Sequence, residues 1–136
     1  MRRIEYFTLF SNLFQYKTIC DEEENAYVLF ADNPLNRIEK VQDHTAFEAL
    51  ENHVHLICNL QKKEFQTSIA IAQKIGPALL NNLHAYYPDK RFCVFVSCSR
   101  KDDMIIRFHQ IWPNEAPYYD PSDFENEDEK VFMFTK

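Results

Sequence analysis

Residues 92–112 read FCVFVSCSRKDDMIIRFHQIW, and this stretch decides the fold. Its first five residues are apolar on both faces, as in a central strand, whereas residues 104–112 alternate between apolar and polar side chains. The polar run Ser99-Arg100-Lys101-Asp102 separates the two, which predicts an antiparallel hairpin. Its register stays open because no glycine marks the turn. Residues 131–134 predict a third strand of the same sheet.

A long helix is predicted before this hairpin. The apolar residues between Glu64 and Tyr87 keep a single helical phase. The phase continues through Gly76-Pro77, which indicates one helix kinked at that point, because Pro77 lacks an N–H and its ring presses on the carbonyl four residues earlier.

The N-terminal half is also predicted to be mainly helical. Residues 4–16 favour a helix, although residues 6–10 also fit a strand. Residues 26–31 stay open between helix and strand: the acidic run after Asp21 suits a helix N-terminus, but Tyr27-Val28-Leu29-Phe30 has strand composition.

Two further helices are expected between residues 34 and 57. Pro34 suits the first residue of a short helix. A second helix should begin near Asp43 or Thr45 and carry four apolar side chains inward: Phe47, Leu50, Val54 and Ile57. Together these patterns predict an α+β fold, in which a helical N-terminal half packs on a C-terminal antiparallel sheet of at least three strands.

Size and composition indicate one domain, residues 1–136. The 136 residues are 46% hydrophobic and 26% charged, which is enough to build a core without a metal or a disulfide. No signal peptide and no membrane span is recognisable, so a cytoplasmic location is expected. The cysteines stand singly without a C-x-x-C pair, which is typical of buried free thiols: Cys20, Cys58, Cys93 and Cys98.

Gly76 is the only glycine in the chain. Phosphate-binding loops, dinucleotide-binding fingerprints and nucleophile elbows each need several glycines at fixed offsets. The sequence therefore excludes a P-loop ATPase, a Rossmann oxidoreductase and an α/β-hydrolase of the usual kind. This favours a non-catalytic protein over an enzyme, and no cofactor is expected.

The whole net charge of −6 lies in residues 113–130, which we call the acidic loop. Seven carboxylates face a single lysine there, and three prolines stiffen the segment. Aromatic residues are interleaved with the carboxylates, which favours a binding surface over a loop that serves only solubility.

The sequence thus predicts that the acidic loop docks on a basic protein. A toxin-neutralising immunity protein or antitoxin is the concrete form, since carboxylates can mimic nucleic acid. Direct nucleic-acid binding is not expected, because lysines and arginines are not clustered. The residues expected to contact the partner are Glu115, Tyr118, Tyr119, Asp120, Asp123, Phe124 and Glu125.

An alternative function is a small enzyme or an anion-binding or ligand-binding domain. Arg107 and His109 would share the polar face of a strand and could form an acid–base or anion-binding cluster with Gln110 and with Asp120 or Asp123. The competing interpretation is a solvent-facing sheet surface on which Arg107 pairs with a carboxylate.

No metal site is expected, and a homodimer is a third possibility. On the predicted helix His53 and His55 lie roughly 200° apart and cannot bind one metal, whereas on a strand they would share a face. A homodimer would bury Tyr118 and Tyr119 across a twofold axis.

Overall fold

The computed structural model describes residues 14–136, so nearly all of the helix predicted for residues 4–16 lies outside the described residues. The elements follow in this order: β1 (Tyr16–Cys20), β2 (Ala26–Phe30), α1 (His44–Glu51), β3 (His53–Ile57), α2 (Phe65–Tyr86), β4 (Phe92–Ser99), β5 (Met104–Gln110) and β6 (Glu129–Thr135). Two short 3₁₀ turns, Lys62–Glu64 and Pro121–Phe124, precede α2 and β6.

Four strands form one antiparallel sheet in the order β3-β5-β4-β6, and β1 pairs with β2 in a separate hairpin. The predicted β4–β5 hairpin and the third strand β6 are confirmed, and the open register pairs Phe92 with Gln110 and Ser97 with Ile105. Helix α2 covers one face of the larger sheet. The α+β class is therefore right, but the prediction of a helical N-terminal half is wrong, because three strands precede α2.

Helix α2 runs unbroken from Phe65 to Tyr86 with Pro77 inside it, as its continuous apolar phase predicts. Gly76 lies on its buried face against β6. A Cβ atom built on Gly76 would lie 2.2 Å from a ring carbon of Phe134. The glycine thus lets the helix backbone approach an aromatic ring that any side chain would displace.

The helix predicted through residues 43–57 is only half right. α1 ends at Glu51, and residues 53–57 form strand β3. Leu50, expected to point inward, is 53% exposed. The buried Asn52 accepts a hydrogen bond from the Phe30 N–H and donates to the Val28 carbonyl, which ties the end of α1 to the edge of β2.

The acidic run after Asp21 forms a hairpin turn instead of a helix. The Asp21 carboxylate accepts the backbone N–H groups of Glu23 and Asn25. Glu24 takes a positive φ of 67°, and the chain then enters β2. The open assignment of residues 26–31 is thereby resolved as a strand.

No helix begins at Pro34, contrary to the prediction. Residues 33–40 have no regular structure. The Asn33 side chain accepts the Leu35 N–H, and Lys17 of β1 donates to the carbonyls of both residues. These side-chain contacts satisfy the backbone groups that a helix would otherwise use.

Glu48 of α1 is fully buried and joins three parts of the fold. One carboxylate oxygen accepts the Gln110 N–H and the Trp112 indole N–H, both at 2.7 Å. The other accepts the Val28 N–H at 2.9 Å and the Gln110 side-chain amide at 2.7 Å. Burial raises the pKa of Glu48, and the N–H donors oppose that rise because each favours the ionised carboxylate.

The cysteines are free, and only two of them are buried as predicted. Cys93 and Cys98 lie inside the sheet, whereas Cys20 and Cys58 are exposed. Burial raises the pKa of Cys93 to about 12, so its thiol is unreactive at neutral pH. Within residues 14–136 no helix is long and apolar enough to cross a membrane.

Candidate functional site

The acidic loop covers the face of the four-stranded sheet opposite α2. The side chains of the sheet on that face include Cys93, Phe95, Arg107, His109 and Val131. Tyr118, Tyr119 and Phe124 of the loop pack against this surface. The predicted site residues are therefore divided: the aromatic members pack against the sheet, Asp120, Asp123 and Glu125 are exposed, and Glu115 is partly buried.

Tyr119 is the centre of the aromatic packing. Its ring centroid lies 5.3 Å from that of Phe95, 5.2 Å from that of Phe124 and 4.7 Å from that of Tyr118. Two of these contacts are edge-to-face, the arrangement that aromatic pairs prefer. The rings thus fasten the loop to the sheet, which gives them a role within the chain. Their contact with a partner, or across a homodimer, stays a prediction.

Arg107 is buried beneath the loop, with 8% of its surface exposed. Its guanidinium donates to the Ala49 carbonyl at 2.8 Å and lies 5.3 and 5.4 Å from the ring centroids of Tyr118 and Tyr119. The sequence had suggested that Arg107 pairs with a carboxylate, but its guanidinium makes cation–π contacts with these two rings instead. Both sequence-based interpretations had placed this side chain within reach of solvent.

His109 is 1% exposed, and its two ring nitrogens are both engaged. Nδ1 donates to the Gln110 carbonyl at 2.7 Å, and Nε2 accepts the Tyr118 N–H at 3.2 Å. Nε2 can accept this hydrogen bond only in the neutral ring, and burial lowers the pKa of His109. His109 therefore anchors the start of the acidic loop, and a role in exchanging protons with a ligand stays a prediction.

The outward side of the acidic loop carries five exposed carboxylates: Asp120, Asp123, Glu125, Glu127 and Asp128. Asp120 accepts the backbone N–H and the hydroxyl of Ser122, and these hydrogen bonds lower the pKa of Asp120. Among the described residues only Asp128 of these five forms an ion pair, with Arg100 at 3.4 Å. This surface is therefore strongly negative and nearly free of neutralising cations.

Glu115 is a different kind of carboxylate, because it binds within the chain. Its oxygens accept the Thr45 N–H at 2.7 Å and contact His44 Nδ1 at 2.6 Å, at the N-terminus of α1. Partial burial opposes ionisation, but the hydrogen bonds from Thr45 and His44 outweigh it and lower the pKa of Glu115 to about 2. Glu115 thus fixes the entry of the acidic loop to α1.

Replacing Glu115 by glutamine should reduce the loss in the free energy of unfolding that occurs as the pH falls. The folded-state pKa of about 2 lies below the ordinary value of 4.5, so ionisation stabilises the fold above about pH 4.5, and that stability is lost as pH falls toward 2. Urea unfolding between pH 2.5 and 6 should show a smaller fall for Glu115→Gln than for the wild type. Glu125→Gln, at an exposed position, is the matched control. Equal slopes for Glu115→Gln and the wild type would contradict this account.

A family model described as the Uncharacterized protein PM0498 family matches residues 13–136. The chain belongs to this family. The match includes both sheets, both helices and the acidic loop. No curated protein and no solved structure matches the chain.

Two polar arrangements were missed by the sequence analysis. Glu48 resembled any other helical glutamate, because its four donors come from distant parts of the chain. The contact between His55 and Asp103 was missed because residues 53–57 were assigned to a helix. The alternation His-Val-His-Leu was the one local signal that could have found it.

Proposed function

We propose that this chain is a non-catalytic binding protein that docks on a basic protein through the exposed carboxylates of the acidic loop. The observation that carries the proposal is the division within that loop. Three aromatic rings hold it on the sheet, and five of its carboxylates are exposed.

Preorganisation supports a binding role over a purely solubilising one. A solubilising segment gains nothing from fixed geometry, whereas a binding loop that is ordered in advance loses less entropy when the partner arrives. The loop is held at its start by Glu115 and His109, and Asp120 caps the 3₁₀ turn in its middle. Near its end Asn126 accepts the Asp128 and Glu129 N–H groups.

The sign and position of the charge indicate the class of partner. The acidic loop holds a net charge equal to that of the whole chain, so the field of the protein is concentrated on one side of the sheet. Such a field attracts a basic surface and repels nucleic acid. Proteins that bind nucleic-acid phosphates do so with basic surfaces. The partner proposed here is therefore a toxin enzyme that acts on nucleic acid. The chain would then be its immunity protein or antitoxin.

Charge reversal in the acidic loop tests the proposal. The variant Asp123→Lys/Glu125→Lys/Glu127→Lys changes three exposed side chains and leaves the cap residue Asp120 in place. The matched control, Glu22→Lys/Glu23→Lys/Glu24→Lys, makes the same change of charge on the β1–β2 turn, where all three side chains are exposed. Each protein is used for affinity capture from the lysate of its source cell. The captured partner is then purified and titrated.

We expect the wild type and the control to retain the same basic protein, and the loop variant to bind it at least about tenfold more weakly. Raising the salt from about 50 to about 500 mM shortens the Debye length to about 4 Å and should release the partner. Inhibition of an enzymatic activity of that partner would support the immunity or antitoxin form. Equal binding by the loop variant, or capture of no basic protein, would refute the docking role.

A further inference from the structure

Strand β3, at one edge of the sheet, presents two histidines on one face. His53 and His55 alternate with Val54 and Leu56, which pack into the core. Both histidines are exposed, and their ring centroids lie 5.5 Å apart with an interplanar angle of 72°. The strand thus brings together two imidazoles that the predicted helix would have kept apart.

Hydrogen bonds fix which nitrogen of each ring carries the proton. Nδ1 of His53 lies 2.7 Å from the Leu50 carbonyl, which can only accept. Nδ1 of His55 lies 2.6 Å from a carboxylate oxygen of Asp103. Both Nδ1 atoms therefore act as donors, and in the neutral rings both Nε2 atoms keep a free lone pair. This is the tautomer in which histidine binds a metal through Nε2.

Asp103 is itself held in position by the chain. Its second oxygen accepts the Asn59 N–H at 2.9 Å. A carboxylate that accepts the Nδ1 proton of a histidine orients the ring and makes Nε2 a stronger metal ligand.

The spacing of the two rings fits a single metal ion. With a Zn–N bond of about 2.0–2.1 Å, two imidazoles on one tetrahedral zinc have ring centroids about 5–5.5 Å apart. Arg107 is the cross-strand neighbour of His53. Its guanidinium donates a hydrogen bond to the Ala49 carbonyl.

We propose that His53 and His55 bind one divalent transition-metal ion through their Nε2 atoms, with Asp103 as the positioning residue for His55. Imidazole ligands select zinc, nickel or copper(II) over magnesium or calcium. Two protein ligands leave two positions of a tetrahedral ion for water or an outside ligand. Among the described residues no group of three or more histidine, cysteine or acidic side chains could hold a metal ion. Neither histidine belongs to the acidic loop, and this proposal does not rest on the proposed docking.

Nitrogen NMR of the wild-type protein tests the site without any substitution. The chain has five histidines, so long-range proton–nitrogen spectra can report each ring separately. On addition of one equivalent of zinc chloride we expect the Nε2 signals of His53 and His55 to shift and the other three rings to stay unchanged. No shift, or a shift confined to His44, His84 or His109, would overturn the proposal.

Variants test the role of each group by zinc titration calorimetry, with circular dichroism to verify folding. His53→Gln and His55→Gln should each weaken binding at least tenfold, and Asp103→Asn should weaken it about tenfold while leaving some binding. Cys58→Ser is the control, because Cys58 is the exposed thiol that follows β3. If Cys58→Ser loses binding as strongly as the histidine variants, the two-histidine assignment is wrong. Unchanged zinc binding by Asp103→Asn would show that Asp103 does not position His55 for the metal.

Discussion

The substitution Glu48→Ala is expected to lower the free energy of unfolding by about 3–5 kcal/mol. The carboxylate is fully buried and accepts four hydrogen bonds, from Val28, Trp112 and twice from Gln110. Alanine leaves the N–H groups of Val28, Trp112 and the Gln110 backbone in a cavity without an acceptor, and the Gln110 side-chain amide keeps only its hydrogen bond to the Ala26 carbonyl. Because a domain of this size is stable by only about 5–15 kcal/mol, the variant should lose a large share of its stability. Urea unfolding of both proteins at neutral pH measures the difference.

Two further variants separate the hydrogen bonds of Glu48 from its volume. Glu48→Gln keeps the shape but turns an N–H₂ group toward two donors, so we expect a loss of about 2–3 kcal/mol. Glu51→Ala, on the same helix, removes a half-buried side chain that accepts a hydrogen bond from Asn33, and it should cost no more than about 1 kcal/mol. A loss below about 1 kcal/mol for Glu48→Ala would mean that water satisfies the donors.

The elements that could be predicted from sequence are those with a strong local period. The alternation in residues 104–112 and the unbroken helical phase between Glu64 and Tyr87 each report which side is buried. Pairing of β4 with β5 follows from their short connection. The register could not be predicted, because it depends on backbone pairs across the turn and no glycine defines the turn type.

Strand β3 could not be predicted, because distant contacts determine where α1 ends. The helix signals from Asp43 onward run past residue 52 without a breaker. Asn52 ends the helix by bonding to Val28 and Phe30 of a strand more than twenty residues earlier. Such a contact is invisible to any pattern read within a short window.

The acidic loop shows the same limit at the candidate site. Composition predicted a charged and aromatic segment, and both properties are present. It could not predict that Tyr118 and Tyr119 would turn toward Phe95 and Arg107, because that direction depends on which strand residues lie beneath the loop. The aromatic residues that suggested a binding surface also have a packing role within the chain.

Replacing Gly76 by alanine should reverse the usual effect of this substitution. In an ordinary helix interior alanine is more favourable than glycine by about 1 kcal/mol. Here the added Cβ would lie 2.2 Å from the ring of Phe134, far inside van der Waals contact. Because the ring is stiff and lies between α2 and β6, we expect a net loss of about 1–3 kcal/mol in the free energy of unfolding.

The double variant Gly76→Ala/Phe134→Leu distinguishes overlap from other causes. Leucine removes the ring atoms that meet the Cβ, so adding Gly76→Ala to a Phe134→Leu background should cost little or become stabilising, and a double-mutant cycle should give a coupling of at least about 1 kcal/mol. Ala70→Gly, at an exposed position of the same helix, should cost about 1 kcal/mol by helix propensity alone. If Gly76→Ala stabilised the wild-type protein, the close approach of α2 to β6 would not be what requires glycine at this position.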